Sequence, residues 1–343
     1  MSGPVAGRRL APVQRLLGLA GPTLLALDVA ALAGFLVRDR AAWLALLMYL
    51  PLAPPGLASA GLDLARRGRG ARGPRFALTA IGLAATACSC SEMIGLGPTA
   101  SAPGGETIRL LHWNVLWGGR PSTDASWTSI EDDILRRAPD VVILSEAPPD
   151  ARLDSLTRRL GPDWTSTRLE HAPGSAYWYK LVALSRWPVR DGRPVPIRNG
   201  AALDVRIDRP GRPLRILVVD GQSRPTQLRT PMLEDVAAAC RRAADEGEPY
   251  DALAGDFNAV ARSLGFDAIR SAAGGYEAAS RSAAGWRGTW PMPLPIYDID
   301  HVWVRSPLRV LRCDLFANLA CDHRGQLVLL APPPAAPSDV VGQ

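Results

Sequence analysis

The sequence predicts an α/β domain that follows an N-terminal transmembrane helical segment. Two observations carry this prediction. Long runs without charge lie before residue 100 of the 343-residue chain, whereas short apolar strings alternate with helical patterns after residue 107. Hydrophobic residues make up 47% of the chain, which excludes disorder for most of its length.

Three runs before residue 98 are candidates for membrane-spanning helices. Residues 16–37 carry one charge, Asp28, and residues 41–62 carry none. A helix needs about 20 apolar residues to cross the hydrocarbon core. The third run, residues 76–97, is interrupted by an acidic residue and is the weakest candidate. We therefore predict a membrane segment with two to three transmembrane helices over residues 1–97.

Arginines flank these runs unevenly, and their distribution predicts the topology. Three precede the first run and five lie between the second and third: Arg8, Arg9, Arg15, Arg66, Arg67, Arg69, Arg72 and Arg75. Because cytoplasmic loops are enriched in Lys and Arg, we expect the N-terminus and the second loop in the cytoplasm. A third span then places the following domain outside the cytoplasm, in a multi-pass protein of the cell membrane. Without that span, the domain is cytoplasmic.

The net charge of +6 lies entirely in the membrane segment. Residues 1–103 hold ten arginines and four acidic residues, whereas residues 104–343 hold 29 basic and 29 acidic side chains. A neutral domain has no general attraction for polyanions, so no specific nucleic acid is expected as a partner. No sequence feature implies a protein partner.

The five cysteines show no C-x-x-C motif and no spacing with histidine that suggests a zinc site. Cys313 and Cys321 could form a disulfide in an oxidising compartment, and the sequence leaves this open.

The folded domain is expected over residues 107–331, between a turn-rich linker at 98–106 and a Pro-rich flexible tail at 332–343. Helical patterns cover residues 129–137 and 232–244. Seven apolar strings have strand length: 108–111, 141–144, 181–184, 214–219, 252–253, 301–304 and 327–330.

Polar side chains recur where these strings end. The set comprises Asn114, Glu146, Asp256, Asn258, Asp300, Asp322 and His323. Carboxylates and amides at the ends of buried strands converge at one edge of a sheet, where open α/β sheets bind their ligands. Several oxygen ligands without a thiolate suit Mg²⁺ or Mn²⁺ better than zinc.

These strings also resemble a known family, the endonuclease/exonuclease/phosphatase superfamily, which includes DNase I-like nucleases, sphingomyelinases and inositol polyphosphate phosphatases. Six motifs occur in the family's order over residues 107–330: His-Trp-Asn114-Val, Leu-Ser-Glu146, Ala-Leu-Ser-Arg186, Gly-Asp256-Phe-Asn258, Ile-Asp300-His-Val and Cys-Asp322-His323. Each motif alone is weak, but six in order make coincidence improbable. The resemblance implies a four-layer sandwich of two packed mixed β-sheets flanked by helices.

The resemblance also implies a metal site and a catalytic set. Glu146 would be the principal ligand of Mg²⁺ or Mn²⁺, with Asn114 and Asp322 beside it.

In the catalytic set, Asp256 would orient or deprotonate the attacking water, and Asn258 would hold the phosphate and fix Asp256. His323, paired with Asp300, would act as the acid/base or stabilise the transition state. The residue types agree with these roles, because a carboxylate can activate water and a carboxylate partner keeps a histidine protonated.

One feature of this family is missing. Related enzymes usually carry a His or Tyr that contacts the phosphate after the strand at 214–219, whereas this chain continues Asp220-Gly221-Gln222-Ser223-Arg224. Gln222 or Arg224 could take its place in substrate binding.

Aromatic residues near the motifs allow two interpretations. Tyr179 and Trp290 are candidates for substrate binding, and packing is the alternative for both. His112 and His301 neighbour the motifs but are expected to be structural.

Three functions compete. A neutral domain tethered to a bilayer favours a Mg²⁺-dependent hydrolase of lipid-linked phosphates, because the membrane concentrates such substrates. The resemblance is closest to bacterial multi-pass members associated with teicoplanin and vancomycin resistance, thought to act on undecaprenyl pyrophosphate or related envelope lipids. The alternatives are a membrane-anchored nuclease and a non-enzymatic protein that binds phosphates.

Overall fold

The computed structural model describes residues 12–66, 76–97, 106–171, 178–190 and 192–332. Its internal contacts divide the chain into two units, Met1–Glu92 and Met93–Gln343. Most of the predicted linker at 98–106 and of the predicted tail at 332–343 lies outside the described residues.

The described residues of the N-terminal part, 12–66 and 76–93, form four helices: α1 (Pro12–Val37), α2 (Ala42–Met48), α3 (Ala53–Arg66) and α4 (Ala77–Met93). Residues 19–37 of α1 are long and apolar enough to cross a membrane. Within α1, the buried Asp28 accepts a hydrogen bond of 2.5 Å from Ser59 Oγ of α3, which gives this acid a partner in an apolar segment. Helix α4 is apolar but, at 17 residues, shorter than a typical span.

The predicted helix at 41–62 is not continuous. This run forms α2 and α3, which are bent by 55° at the break between them. Pro51 lies in that break, and a proline lacks the amide hydrogen and disfavours helical geometry at the residue before it. Taken together, α2 and α3 are long and apolar enough to form one further span, either as a broken span or as a re-entrant loop.

Within residues 93–343, the part that the structure describes contains two six-stranded sheets, and both are mixed. The first has one parallel pair, β2 with β3, among antiparallel neighbours. Its strands, in spatial order, are β13 (Arg309–Phe316), β14 (Gly325–Ala331), β2 (Ile108–Asn114), β3 (Val141–Ser145), β5 (Leu181–Ser185) and β4 (Thr165–Leu169).

The second sheet likewise has one parallel pair, β8 with β9. Its order is β10 (Tyr276–Ala278), β12 (Asp300–Arg305), β9 (Ala252–Asp256), β8 (Leu214–Gly221), β7 (Gly200–Ile207) and β6 (Arg193–Val195). A separate two-stranded sheet joins β1 (Ile94–Leu96) to β11 (Ala284–Trp286).

Helices cover the outer face of each sheet. Helices α5 (Asp124–Arg136) and α6 (Asp150–Leu160) pack against the first, while α7 (Thr230–Asp245) and α8 (Gly265–Ser271) pack against the second. This confirms the predicted sandwich of two mixed sheets flanked by helices. All seven predicted strings lie within strands, and both predicted helical patterns lie in or overlap α5 and α7.

The alternation of side chains along each strand builds the core. On β8, Leu214, Ile216 and Val218 face the space between the sheets, whereas Leu217 and Val219 pack on the helical side. Cys313 belongs to the core between the sheets and Cys321 to the core under α5; both are buried and free, so no disulfide joins them.

At one end of the sandwich, the inward-facing side chains change from apolar to polar. On β8 the column Leu214, Ile216, Val218 continues with Asp220, and on β9 the column Ala252, Ala254 continues with Asp256. The same change places further buried polar side chains at this end: Asn114 on β2, Asp300 on β12 and Gln326 on β14. The fold therefore gathers polar groups of both sheets at one end of the core.

A truncation in the core between the sheets should destabilise the domain. Leu203 of β7 is fully buried there, so Leu203→Ala should lower the free energy of unfolding by about 2–5 kcal/mol, through lost apolar contact and a residual cavity. Urea unfolding in detergent, followed by tryptophan fluorescence, measures the change. Leu319→Ala is the control: this leucine is 84% exposed, so its truncation should alter stability by less than about 0.5 kcal/mol. Equal losses for both variants would contradict this description of the core.

Candidate active site

Three carboxylates stand side by side on neighbouring strands at the polar end. The register pairs Asp220 of β8 with Asp256 of β9, and Asp256 with Asp300 of β12. Each of the three is at most 4% exposed. Neighbouring strands lie about 4.8 Å apart, so these acids repel one another unless a proton or a cation intervenes.

His323, in the loop before β14, partners one end of this row. Its Nδ1 lies 2.8 Å from Asp300 Oδ2, and its Nε2 lies 3.9 Å from Asp256 Oδ2. The indole Nε1 of Trp113 donates to the main-chain carbonyl of His323 at 3.0 Å, which fixes the loop to β2. The imidazole therefore bridges two carboxylates from a fixed position.

The charges of this pair support each other. Burial alone would lower the pKa of His323, but Asp300, with Asp256 and Asp322, raises it to about 10. Burial would likewise raise the pKa of Asp300, and the imidazolium of His323 lowers it below its ordinary value. An imidazolium and a carboxylate are thus the stable forms near neutral pH.

Two asparagines hold Asp256. Asn114 Nδ2 donates to Asp256 Oδ2 at 3.0 Å, and the main-chain N–H of Asn258 donates to Asp256 Oδ1 at 2.8 Å. The side chain of Asn258 donates to the carbonyl of Gly221 at 2.8 Å, which ties the loop after β9 to β8. Burial and the charge of Asp300 raise the pKa of Asp256 to about 7, so this carboxylate is poised as a base near neutral pH.

Glu146 follows β3 in a left-handed backbone conformation, with φ of 45°. Its carbonyl accepts a hydrogen bond of 2.7 Å from the main-chain N–H of Trp117, in the segment after Asn114. Burial raises the pKa of the Glu146 carboxyl, a hydrogen bond from Asn114 opposes that shift, and Asp322 and Asp300 add to it. Glu146 therefore shares the site with the carboxylate row.

Asp322 completes the acidic set. Its Oδ2 accepts a hydrogen bond of 3.3 Å from Trp290 Nε1, while its Oδ1 is buried without a hydrogen-bond partner in the described structure. Trp290 stacks on Tyr297 at 5.8 Å between ring centroids. Trp290 therefore lies at the site, with its indole against Asp322.

The donor set fits a divalent cation. Five carboxylates (Glu146, Asp220, Asp256, Asp300 and Asp322) surround one imidazolium, and the buried Asp322 Oδ1 lacks a partner. Ligand atoms of Asp256, Asp300 and His323 lie within 4.8 Å of one another, so these three form a potential metal site. However, Asp300 already binds the imidazole and a pKa near 10 keeps the second nitrogen of His323 protonated. Oxygen ligands on the Glu146 and Asp322 side are therefore the better fit.

The other predicted site residues divide into two groups. Gln222 is buried directly after β8 and Arg224 is exposed in the following loop, two and four residues beyond Asp220. Tyr179 instead lies in the core between the sheets and is 5% exposed, which does not suit the predicted contact with substrate. An aromatic ring next to β5 can pack in the core as readily as it can contact a substrate, and the ring of Tyr179 packs in an apolar cluster.

Both neighbouring histidines are buried in structural settings. His301 Nε2 donates to the carbonyl of Ala259 at 2.8 Å. The imidazole ring packs among Phe257, Phe266 and Trp303. Burial lowers the pKa of His301 and of His112 to about 4, so both are neutral at physiological pH.

Two residues of the site were not predicted from sequence. Asp220 appeared there only as part of the segment that lacks His or Tyr, yet burial and the charge of Asp256 raise its pKa well above the ordinary value. Arg229, also buried, donates to the carbonyls of Asn258 at 2.6 Å and Arg224 at 3.0 Å. It therefore holds the loop after β8 against the loop after β9. The strand register reveals Asp220, whereas no sequence signal identifies Arg229.

Comparison with family models gives one match, described as the endonuclease/exonuclease/phosphatase family, over residues 111–339. The match includes every residue of the predicted metal and catalytic sets. No curated protein has a matching sequence.

Several solved structures share the fold. The catalytic domain of human Nocturnin, solved with a bound sulfate anion, has 18% identity and a TM-score of 0.52, and the match covers 66% of this chain and 94% of that one. An endonuclease/exonuclease/phosphatase from Bacteroides vulgatus has 15% identity and a TM-score of 0.52, over 67% and 100% of the two chains. D. rerio TDP2, solved with a single-strand DNA product, has 16% identity and a TM-score of 0.51, over 66% and 100%.

Removal of the Asp300 charge should lower the pKa of His323. We expect the ring proton of His323 to titrate near pH 10 in the wild type and at a clearly lower pH in Asp300→Asn, because burial is then opposed only by the charges of Asp256 and Asp322. The raised pKa stabilises the fold below pH 6.5, and this stabilisation is lost as the pH rises through 10. Proton NMR of the four histidines, with His323→Ala to assign the signal, measures both values. An unchanged titration in Asp300→Asn would contradict the pairing.

Proposed function

The chain belongs to the endonuclease/exonuclease/phosphatase family, and from this premise we propose that it is a membrane-anchored, Mg²⁺-dependent phosphoesterase that hydrolyses a lipid-linked phosphate or pyrophosphate. The observation that carries the hydrolytic part is that a base and an acid lie side by side at the polar end of the core. Asp256, with a pKa of about 7, faces the Nε2 of protonated His323 at 3.9 Å.

These two groups supply the base and the acid that a displacement at phosphorus needs. Asp256, which is held in place by Asn114 and by the main-chain N–H of Asn258, accepts the proton of the attacking water. As the bond from water oxygen to phosphorus forms, the bond to the leaving oxygen breaks, and His323 donates its Nε2 proton to that oxygen. Asp300 holds the imidazolium in orientation throughout the step.

The metal belongs to the same proposal. Glu146, Asn114 and Asp322 would hold Mg²⁺, whose Lewis acidity would stabilise negative charge on the phosphoryl oxygens. Asn114 is suited to a double role, because its amide nitrogen donates to Asp256 while its Oδ1, which accepts from the N–H of Leu116 at 3.0 Å, retains a second lone pair.

Two properties of the chain support a lipid-linked substrate. Residues 19–37 are apolar and long enough to anchor the domain to a bilayer. Residues 104–343 carry no net charge, which gives no general attraction for nucleic acid. A tether also raises the effective concentration of membrane lipids at the site. We propose undecaprenyl pyrophosphate as a substrate to test first.

We also propose an extracytoplasmic location for the catalytic domain in a multi-pass membrane protein. The proposal rests on the arginines that flank the apolar runs and on the apolar helix α4 directly before the domain.

Hydrolysis should depend on the metal and on His323. The detergent-purified full chain with Mg²⁺ should release phosphate from undecaprenyl pyrophosphate, and EDTA should abolish release. His323→Ala should lower kcat by about 10²–10⁴-fold, because it removes the proton donor. Asp163→Asn, which changes an exposed acid in the same domain, is the matched control and should retain the wild-type rate.

Two other results would change the proposal. Cleavage of a generic phosphodiester or of plasmid DNA without release from the lipid would retain the phosphoesterase and replace the lipid by a nucleic acid. Metal binding without turnover of any phosphoester would leave a phosphate-binding protein.

The topology has its own test. A reporter that is active only outside the cytoplasm should be active when fused after Pro98 and silent when fused after Arg69, because α4 would cross the membrane between these points. The reverse pattern would place the catalytic domain in the cytoplasm.

A further inference from the structure

Strand β1 is the first element of the catalytic domain, and it follows α4 without a linker. Helix α4 ends at Met93 and β1 begins at Ile94. Strand β1 pairs with β11 in antiparallel register, with Ile94 opposite Trp286 and Leu96 opposite Ala284. Both strands belong to the second unit of the chain. The residues directly after α4 are therefore part of the hydrogen-bonded structure of the domain.

Main-chain contacts continue this pairing at both ends of β1. The N–H of Arg287 donates to the carbonyl of Met93 at 2.7 Å, and the N–H of Gly97 donates to the carbonyl of Ala283 at 3.0 Å. The two backbones are so close that a Cβ on Gly95 would lie 2.0 Å from the carbonyl oxygen of Ala283. A glycine inside a strand often marks such a close approach. Any side chain at residue 95 would therefore force β1 away from the residues with which it pairs.

Strand β11 leads into a loop that is closed by its own hydrogen bonds. We call residues 287–298, between β11 and β12, the site loop. The N–H groups of Thr289 and Trp290 both donate to the carbonyl of Tyr297, at 2.6 Å and 3.0 Å. In return, the N–H of Tyr297 donates to the carbonyl of Trp290 at 2.8 Å. These bonds make the site loop a closed hairpin that starts directly after β11.

Arg324, the residue after His323, binds the junction between β11 and the site loop. Its guanidinium donates to the carbonyls of Trp286 at 2.8 Å and Gly288 at 3.0 Å. Its main-chain N–H donates to the carbonyl of Thr289 at 2.8 Å. The loop before β14, which carries the catalytic histidine, is thereby joined to the end of β11.

Two residues of the site loop hold Asp322. The indole Nε1 of Trp290 donates to Asp322 Oδ2 at 3.3 Å, and the main-chain N–H of Met292 donates to the main-chain carbonyl of Asp322 at 2.8 Å. One contact acts on the side chain and the other on the main chain, so together they fix the position of the carboxylate.

We infer that β1 is a clamp for the metal site: its pairing with β11 fixes the site loop, and the site loop positions the carboxylate of Asp322 for the cation. This inference rests on the proposed function, in which Asp322 is a ligand of Mg²⁺. Strand β1 acts through other residues, so it is a positioning element and not a member of the catalytic set. Groups that fix the orientation of a metal ligand set much of its affinity for the metal.

A purely structural role for β1 is the alternative. The strand would then contribute to the stability of the domain without affecting the metal. Two routes from β11 to Asp322 favour the clamp, one through the indole of Trp290 and one through the guanidinium of Arg324. The two roles differ in one measurable property, the affinity of the protein for the cation.

Mn²⁺ binding to the full chain in detergent tests the clamp without turnover. The electron paramagnetic resonance signal of free Mn²⁺ gives the Kd of each variant. Gly95→Val should raise this Kd roughly tenfold, a loss typical of removing a group that orients a metal ligand. Leu96→Ser is the matched control on the same strand: this side chain is 97% exposed, so its replacement should retain the wild-type Kd. Asp322→Ala gives the loss expected when the ligand itself is removed.

The outcomes separate the clamp from the proposed function. A wild-type Kd in Gly95→Val, with only a lower unfolding temperature, would give β1 a structural role and overturn the inference. If Gly95→Val does not fold, Gly95→Ala decides, because its single added carbon meets the same carbonyl of Ala283. It should raise the Kd by a smaller factor, and an unchanged Kd would overturn the clamp. A wild-type chain that binds no Mn²⁺ would instead contradict the proposed metal site, and the inference with it.

Discussion

The hydrogen bond between His323 and Asp300 is the interaction on which the site depends. Five carboxylates converge at one end of the core, and among the described residues this pair supplies the positive side chain that lies between them. It fixes the loop before β14 against β12, keeps the imidazole protonated and leaves its second nitrogen facing Asp256. Without Asp300, burial would lower the pKa of the imidazole and so weaken the nearest counter-charge of the carboxylate row.

The row itself follows from sheet geometry. Side chains alternate along a strand, so the columns that build the core between the sheets with Val218, Ala254 and Val302 continue with Asp220, Asp256 and Asp300. The same rigid ladder that packs the core thus sets the spacing of the acids. Loops at this end then add Glu146, Asp322 and His323, while ion pairs occupy the opposite end.

Sequence predicted most of the buried strands and most of the residues that gather at the polar end, because both leave local signals. The buried strand β7 was not predicted. Apolar strings mark strands that are covered on both faces, and the six motifs end them. Strand β13 was missed, since it alternates charged and apolar residues at the edge of a sheet, and so was the polar helix α6. Asp220 could not be identified without the register that sets it beside Asp256, and Tyr179 gave no local sign that it packs in the core. The break between α2 and α3 was also missed, although Pro51 marks it in the sequence.

The position of the bound cation tests the account most directly. Anomalous diffraction from crystals of the full chain with Mn²⁺ would locate it. We expect one peak bounded by oxygens of Glu146 and Asp322, near Asn114, with the hydrogen bond between His323 and Asp300 intact. A peak among Asp256, Asp300 and His323, whose ligand atoms also lie close enough to hold an ion, would contradict it, because His323 would then be a ligand and could not donate a proton.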